Sequence, residues 1–264
     1  MRRGDVVEAV HRVHVATSDR VLRGENLVPF LRSAAKPIQA VPLAEAYDDL
    51  DDDELAIACA SHQGEPGQLA AVRKLLERAG ATVDDLENGP QEGRPGGKLG
   101  HNCSGKHAGM LAACHANGWP FAGYRLADHP LQQWIAELIG PAETAVDGCG
   151  LPTYALSLTQ AAALLLRTPE RIAAAMRARP ELVGRLDGAD VALMLARPGW
   201  VAKAGAEGLV CAVSPDGTGY AFKVEDGNTR ALGPAVGELL AIGELARTEL
   251  RNSLGETVGA IEAE

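Results

Sequence analysis

No stretch of this sequence is apolar for long enough to cross a bilayer. The longest apolar run, Ala161 to Leu166, falls far short of the roughly 20 residues that a spanning helix needs. Nor does the start resemble a signal peptide: Arg2 and Arg3 are followed by Asp5 and Glu8, with no apolar segment behind them. The expectation is a cytoplasmic protein with no membrane partner. Positive charge is also short, with Lys and Arg totalling 25 against 35 Asp and Glu, for a net charge of -10. That balance excludes nucleic acid as a main partner. Five cysteines, an odd number without a Cys-x-x-Cys pair, do not make a disulfide framework. Internal repeats and low-complexity tracts are missing, and so is the βαβ alternation of a parallel sheet. Gly93 to Gly97 is not a phosphate loop, because no strand pattern precedes it and no Gly-Lys-Ser/Thr follows.

What remains is an ordinary globular composition over 264 residues, 46% hydrophobic and 23% charged, enough to bury a sizeable core. Val6 to Ala16 alternates as a half-buried strand, and Val21 to Arg23 can return beside it. Ser33 to Leu43 can open a helix that accommodates Pro37 only in its first turn. Gly67 to Ala79 is amphipathic and ends at Gly80; Ser104 to Asn117 reads as a helix with Ser104 as N-cap and Gly118 as terminator. Glu87 to Gly100, rich in glycine and proline, is a long loop of the kind that often carries function. Thr153 to Arg167 and a following helix to about Arg179 continue the helical middle. Leu209 to Val213 and Thr218 to Val224 flank a Ser-Pro-Asp-Gly turn, and a last helix is expected from Ala235 to Leu250. The pattern predicts an α+β fold: an antiparallel sheet from both termini, about 1–32 and 203–250, around a central helical part, about 33–202, in a single domain over 1–264.

Three places can carry chemistry. Ser33 and Lys36 stand three apart, which puts both on one face of a helix. A serine hydroxyl needs a base to become a nucleophile, and a desolvated lysine can be that base. The bland alternative is a polar pair at a helix start. Ser61 and His62 close the apolar run Leu55 to Ser61 and meet Gly64, either facing a pocket or simply capping it. Cys103 precedes a predicted helix N-terminus, where backbone N–H groups and Lys106 favour a thiolate. Cys149 lies between glycines in Asp147-Gly148-Cys149-Gly150. Two thiolates and one nitrogen suit zinc; by general ligand statistics His101 or His107 would supply the nitrogen. Cys59, Cys114 and Cys211 sit in apolar runs and read as buried small hydrophobes.

Six segments together resemble the rhizobial-type L-asparaginases, a family distinct from the bacterial type I/II enzymes and from the N-terminal-nucleophile enzymes. They are His11 to Val15; Arg32-Ser33-Ala34-Ala35-Lys36-Pro37; Ala58-Cys59-Ala60-Ser61-His62-Gln63-Gly64-Glu65-Pro66; His101 to Met110; Asp147-Gly148-Cys149-Gly150-Leu151-Pro152-Thr153; and Lys203-Ala204-Gly205-Ala206-Glu207-Gly208. Relative to that family the chain is short between Val10 and Ser33, around Glu87 to Lys98, and between Pro152 and Lys203. The resemblance implies a fold like serine β-lactamases and glutaminases, a homodimer, and hydrolysis of L-asparagine to L-aspartate and ammonia. It implies zinc held by Cys103, Cys149 and, in place of a histidine, Lys106. The implied catalytic pairs are Ser33 with Lys36 and Ser61 with Lys203, either of which could supply the nucleophile. Arg32, Asp147 and His107 would bind substrate. Two alternatives stand beside this reading: a glutaminase-type or penicillin-recognising serine acyl hydrolase without zinc, and a non-catalytic zinc-stabilised binding domain.

Overall fold

The fold is described from a computed structural model covering residues 1–263. Its residues cluster into two compact units. The first takes Met1–Ala34, Leu156–Leu166 and the chain from Asp187 onward; the second takes Ala35–Ala155 and Arg167–Leu186.

The first unit is built on antiparallel sheets that pair the two ends of the chain. Strands β1 (Arg2–Arg3), β2 (Val6–Val7), β3 (Val13–Thr17) and β4 (Val21–Arg23) come from the N-terminal side. The second unit contributes β5 (Glu143–Val146) and β6 (Pro152–Ala155). From the C-terminal side come β7 (Val201–Gly205), β8 (Leu209–Val213), β9 (Gly219–Val224), β10 (Arg247–Arg251) and β11 (Thr257–Glu262). The main sheet runs β4-β3-β9-β8-β7, with Val15 opposite Phe222 and Lys203 opposite Cys211. A second sheet runs β10-β11-β1-β2. The helix Leu158–Leu165 packs against β3, β8 and β9. Gly219 makes that approach possible, since a Cβ there would run into the carbonyl of Ala162. Ala16, Cys211 and Ala221, on the Gly219 face, are buried with Ala162 of that helix, and Val15, Val210, Ala212 and Phe222 are buried on the opposite face of the sheet.

The second unit is mostly helical. Pro66–Ala79 ends at Gly80 in the left-handed conformation, φ 62°, and Ser104–Asn117 ends the same way at Gly118, φ 66°. These two helices pack on each other and on Asp52–Ala58. Two glycines of the Ser104–Asn117 helix set how closely it approaches. A Cβ on Gly105 would collide with the Ile57 carbonyl, and one on Gly109 would press on Leu43 and Ala58.

Several sequence expectations need correction. The strand expected over Val6–Ala16 is two pieces, Val6–Val7 and Val13–Thr17. The apolar run Leu55 to Ser61 is largely helical, because Asp51 and Glu54 form a reciprocal capping box that starts Asp52–Ala58. Thr153 lies in β6, and the following helix starts later, capped by Ser157 and Gln160. The helical middle therefore contains a hairpin, β5–β6. The last expected helix covers only Leu232–Leu239; Ala241, at φ 52°, breaks it, and Arg247–Arg251 is a strand. The sheet thus continues past residue 250 to Glu262.

Candidate active site

The second unit gathers Lys36, Ser61, His62, Cys103, Lys106, His107, Asp147 and Cys149. Lys36 opens the short Lys36–Gln39 helix and has no exposed surface. Its ammonium donates to the carbonyl of Ala60 and, at 3.1 Å, to the hydroxyl of Ser61. Ser61 follows the Asp52–Ala58 helix, and its N–H donates to the carbonyl of Val183 at 2.8 Å. The His62 N–H donates to the Asn102 carbonyl at 3.2 Å. The Ser61–His62 turn is thereby fastened to the segment that precedes Cys103.

His62 is fully buried and its tautomer follows from its partners. Gly64 N–H donates to Nδ1 at 3.1 Å, so the proton sits on Nε2, which donates to the Ser104 hydroxyl at 2.8 Å. Ser104 in turn donates to the Leu99 carbonyl. Burial first, and the Lys36 charge second, push the His62 pKa down to about 4. Ser104 was the expected N-cap; it is instead the first helical residue, and Cys103 occupies the cap position. The Ser104 hydroxyl is committed to the His62 network.

Cys103 and Cys149 are both buried. Interaction with Cys149 pulls Cys103 well below its ordinary range, against burial and helped by the Lys36 and Lys106 charges. Cys149 is pushed up by interaction with Cys103 and by burial. Lys106 Nζ donates to Cys149 Sγ at 3.3 Å, and His101 Nδ1 accepts from the Cys103 N–H at 3.0 Å. Burial would lower Lys106, but the charges of Cys149, Cys103 and Asp147 outweigh it and raise its pKa.

Among the described residues no group of three His, Cys, Asp or Glu side chains is arranged to hold a metal. The donors that do stand together are two sulfurs and the Lys106 amine. His107 faces elsewhere: Nδ1 lies 2.6 Å from the Tyr124 hydroxyl, and burial together with the Lys106 charge depresses its pKa. Asp147 turns the Cys149 loop, accepting from Gly148 N–H at 2.7 Å through its side chain and from Gly150 N–H at 2.8 Å through its carbonyl.

The first unit holds Arg32, Ser33 and Lys203. Arg32 is left-handed, at φ 50°, in the turn Arg32–Ala35. A non-glycine residue there costs about 1–3 kcal/mol and marks a conformation the surroundings impose. Lys203, on β7, has no exposed surface and donates to Asp190 Oδ2 at 3.0 Å. Burial pushes the Asp190 carboxyl up, but the Lys203 charge and the N–H groups of Ala204 and Val191 hold it below its ordinary value. Gly205 lets β7 come against the chain just before Arg32, because a Cβ there would lie 2.6 Å from the Leu31 carbonyl.

The family model for L-asparaginase II matches residues 1–262. The chain belongs to the L-asparaginase II family. That membership makes it a hydrolase of the L-asparaginase type, and asparagine the substrate its family implies. No curated protein matches the chain. No helix among the described residues is long and apolar enough to cross a membrane.

Sequence reasoning missed several residues that organise this family member's site. Asp190 carried a signal, an acid inside the apolar run Ala189–Ala196. Arg94 donates to the His62 carbonyl at 2.6 Å and to Gln63 at 2.7 Å, and Gln91 accepts from Asn102 N–H at 2.9 Å. Both lie in the long glycine-rich loop, whose length was the only clue. Tyr124, after Gly123, had none.

Proposed function

We propose that this protein hydrolyses L-asparagine to L-aspartate and ammonia through a seryl acyl-enzyme, with Ser61 as nucleophile and Lys36 as its base. The 3.1 Å hydrogen bond between a fully buried Lys36 and the Ser61 hydroxyl carries this reading. Lys36, an ammonium donating to Ser61 at rest, becomes the base once it has released a proton, which its burial favours. Lys36 takes the Ser61 proton as Oγ attacks the side-chain amide carbon, then returns it to the departing nitrogen, so that ammonia leaves. Water, deprotonated by the same amine, cleaves the aspartyl ester. Backbone N–H groups stabilise the oxyanion in both steps. The family resemblance implies Asp147 for the α-ammonium, Arg32 for the α-carboxylate, and Lys203 as a partner of Ser61.

Cys103, Cys149 and Lys106 fit zinc by the chemistry of the set, two sulfurs and a nitrogen with the amine already 3.3 Å from one sulfur. Bound there, zinc would supply a fixed positive charge; metal analysis finding one equivalent per chain, lost in Cys103→Ser, supports this part. The five-stranded antiparallel sheet joining strands from both ends supports a fold like serine β-lactamases and glutaminases. A homodimer belongs to the same reading. β5 pairs only with β6 among the described residues and is exposed throughout, and light scattering in solution tests the stoichiometry.

A second reading keeps Ser33 as nucleophile, and the imposed left-handed backbone at Arg32 immediately before it favours that choice. Ammonia release from asparagine and glutamine, measured for wild type, Ser61→Ala and Ser33→Ala, separates the two. Loss in Ser61→Ala together with an aspartyl adduct on the Ser61 peptide of the wild type supports the first; an adduct on the Ser33 peptide supports the second. Comparable rates on both amides would make the protein a broader acyl hydrolase.

A further inference from the structure

Two histidines of the second unit are fixed in the same tautomer, but only one has both nitrogens satisfied. His62 accepts on Nδ1 and donates from Nε2 to Ser104. His107 is also fully buried, and its Nδ1 lies 2.6 Å from the Tyr124 hydroxyl. Its Nε2 has no hydrogen-bond partner among the described residues.

The direction of the His107–Tyr124 bond follows from the other side of the tyrosine. Glu87 N–H, which can only donate, reaches the Tyr124 oxygen at 2.9 Å. Tyr124 has no exposed surface, and burial pushes its phenol pKa up, so the phenol keeps its proton and must place it. His107 Nδ1 is the acceptor at hand. Nδ1 therefore carries no proton, and Nε2 does. A buried N–H without a partner costs about 1–3 kcal/mol, which makes it a donor held ready for an acceptor.

Tyr124 itself is clamped. Gln132 Nε2 donates to its carbonyl at 2.9 Å, and Glu87 Oε1 accepts from Gly123 N–H at 2.6 Å. Glu87 Oε2 lies 3.5 Å from Arg125 Nε, and Arg125 packs over Gly150, where a Cβ would lie 3.3 Å from Arg125 Cδ. One short segment thus holds the tyrosine and braces the loop of Cys149.

We propose that Tyr124 is a positioning residue: held by the Glu87 N–H, its hydroxyl locks His107 as a neutral Nε2–H donor to an oxygen of the substrate, a carboxylate or the amide carbonyl. This rests on the asparaginase reading for the substrate, but not for the tautomer. Tyr124 touches no reacting atom; it acts through the imidazole.

The test is nitrogen NMR on full-length protein carrying 15N-labelled histidine, with the His107 signals identified by their loss in His107→Gln. The expected wild-type result is an unprotonated Nδ1 and a protonated Nε2. In Tyr124→Phe the pattern becomes mixed or inverts, and KM for asparagine rises about tenfold while kcat moves less than about threefold, the loss of one oriented hydrogen bond. In a His107→Gln background, Tyr124→Phe adds nothing further. A protonated Nδ1 in the wild type, or an unchanged tautomer in Tyr124→Phe, overturns the proposal. Should Tyr124→Phe not fold, 3-fluorotyrosine incorporation replaces it. A more acidic phenol shifts the His107 Nδ1 signal if the two are bonded, and an unmoved signal sinks the idea. Absence of ammonia release by the wild type would remove the asparaginase reading and leave the tautomer result standing.

Discussion

Lys36 and Lys203 are both without exposed surface, yet their surroundings differ in kind. Lys203 meets the carboxylate of Asp190, which also accepts from two backbone N–H groups. That is a neutralised ion pair, built into β7 and the helix Ala189–Ala196. Lys36 donates to a carbonyl and to the hydroxyl of Ser61. A lysine whose proton lies against a serine oxygen has somewhere to exchange it during a reaction. A lysine bound to a buried carboxylate holds structure, because moving its proton exposes a charge. Under the proposed Ser61 reading, Lys36 serves the chemistry and the Lys203–Asp190 pair the support, in place of the Ser61–Lys203 pairing that the family resemblance implies.

The largest effect expected from this contrast is on turnover. Lys36→Met should lower kcat for asparagine by about a thousandfold, the scale of losing a general base, while the protein stays folded. Lys203→Met should act first on stability, costing about 3–5 kcal/mol, because it leaves Asp190 as an uncompensated buried charge. Removing the carboxylate too, in Lys203→Met/Asp190→Leu, should restore most of that. Denaturant melts and ammonia release on the same preparations settle the contrast. A Lys203→Met protein of wild-type stability with lost turnover would break it, placing Lys203 in the chemistry instead.

How much of this could be read from the chain varies with the physics. The helices Pro66–Ala79 and Ser104–Asn117 were legible because apolar periodicity and a terminal glycine agree, and both end at left-handed glycines. The hairpin of β8 and β9 was legible from its turn residues. The strand Arg247–Arg251 was not: Arg-Thr-Glu-Leu-Arg has no buried face to alternate with, and only pairing with β11 makes it a strand. Of the site, Lys36, Ser61, Cys103, Lys106 and Cys149 stood out as residue types in informative loops. The bond from Lys36 to Ser61 spans 25 residues, which no local spacing rule reports. Ligand statistics point to a histidine beside the two thiols, whereas Lys106 Nζ lies 3.3 Å from Cys149 Sγ and His107 is turned toward Tyr124.

Acid should separate the two regions by pH. His62 titrates at about 4 in the folded protein against 6.5 unfolded, so its contribution to stability is complete above 6.5 and is lost as pH falls toward 4. The loss should reach about 3 kcal/mol at the lower end, from the size of the shift. Asp190, held below its ordinary 3.8, contributes stability that disappears only under that value. Stability against pH should therefore fall in two stages. Because the Lys36 charge is one cause of the His62 shift, Lys36→Met should shrink the upper stage. An unchanged upper stage in Lys36→Met would show that burial alone sets the His62 value.

The smallest effects concern the glycines beside each lysine region, and they are graded by what an added methyl would meet. At Gly105 it meets the Ile57 carbonyl, and at Gly205 the Leu31 carbonyl. Backbone cannot swing aside, so Gly105→Ala and Gly205→Ala should each cost about 1–3 kcal/mol. Gly105→Ala should also lower turnover, since that helix carries Cys103, Lys106 and His107 toward the turn of Ser61. At Gly109 the methyl meets Leu43 Cδ2 at 3.1 Å and Ala58 Cβ at 3.2 Å. A leucine methyl can yield by a few tenths of an ångström, and alanine gains about 1 kcal/mol over glycine in a helix interior. Gly109→Ala should therefore sit near zero in a thermal melt with turnover intact. Equal destabilisation at Gly105 and Gly109 would mean that helix packing in general, and not contact with the Ile57 carbonyl, fixes the distance between the helix and Ser61.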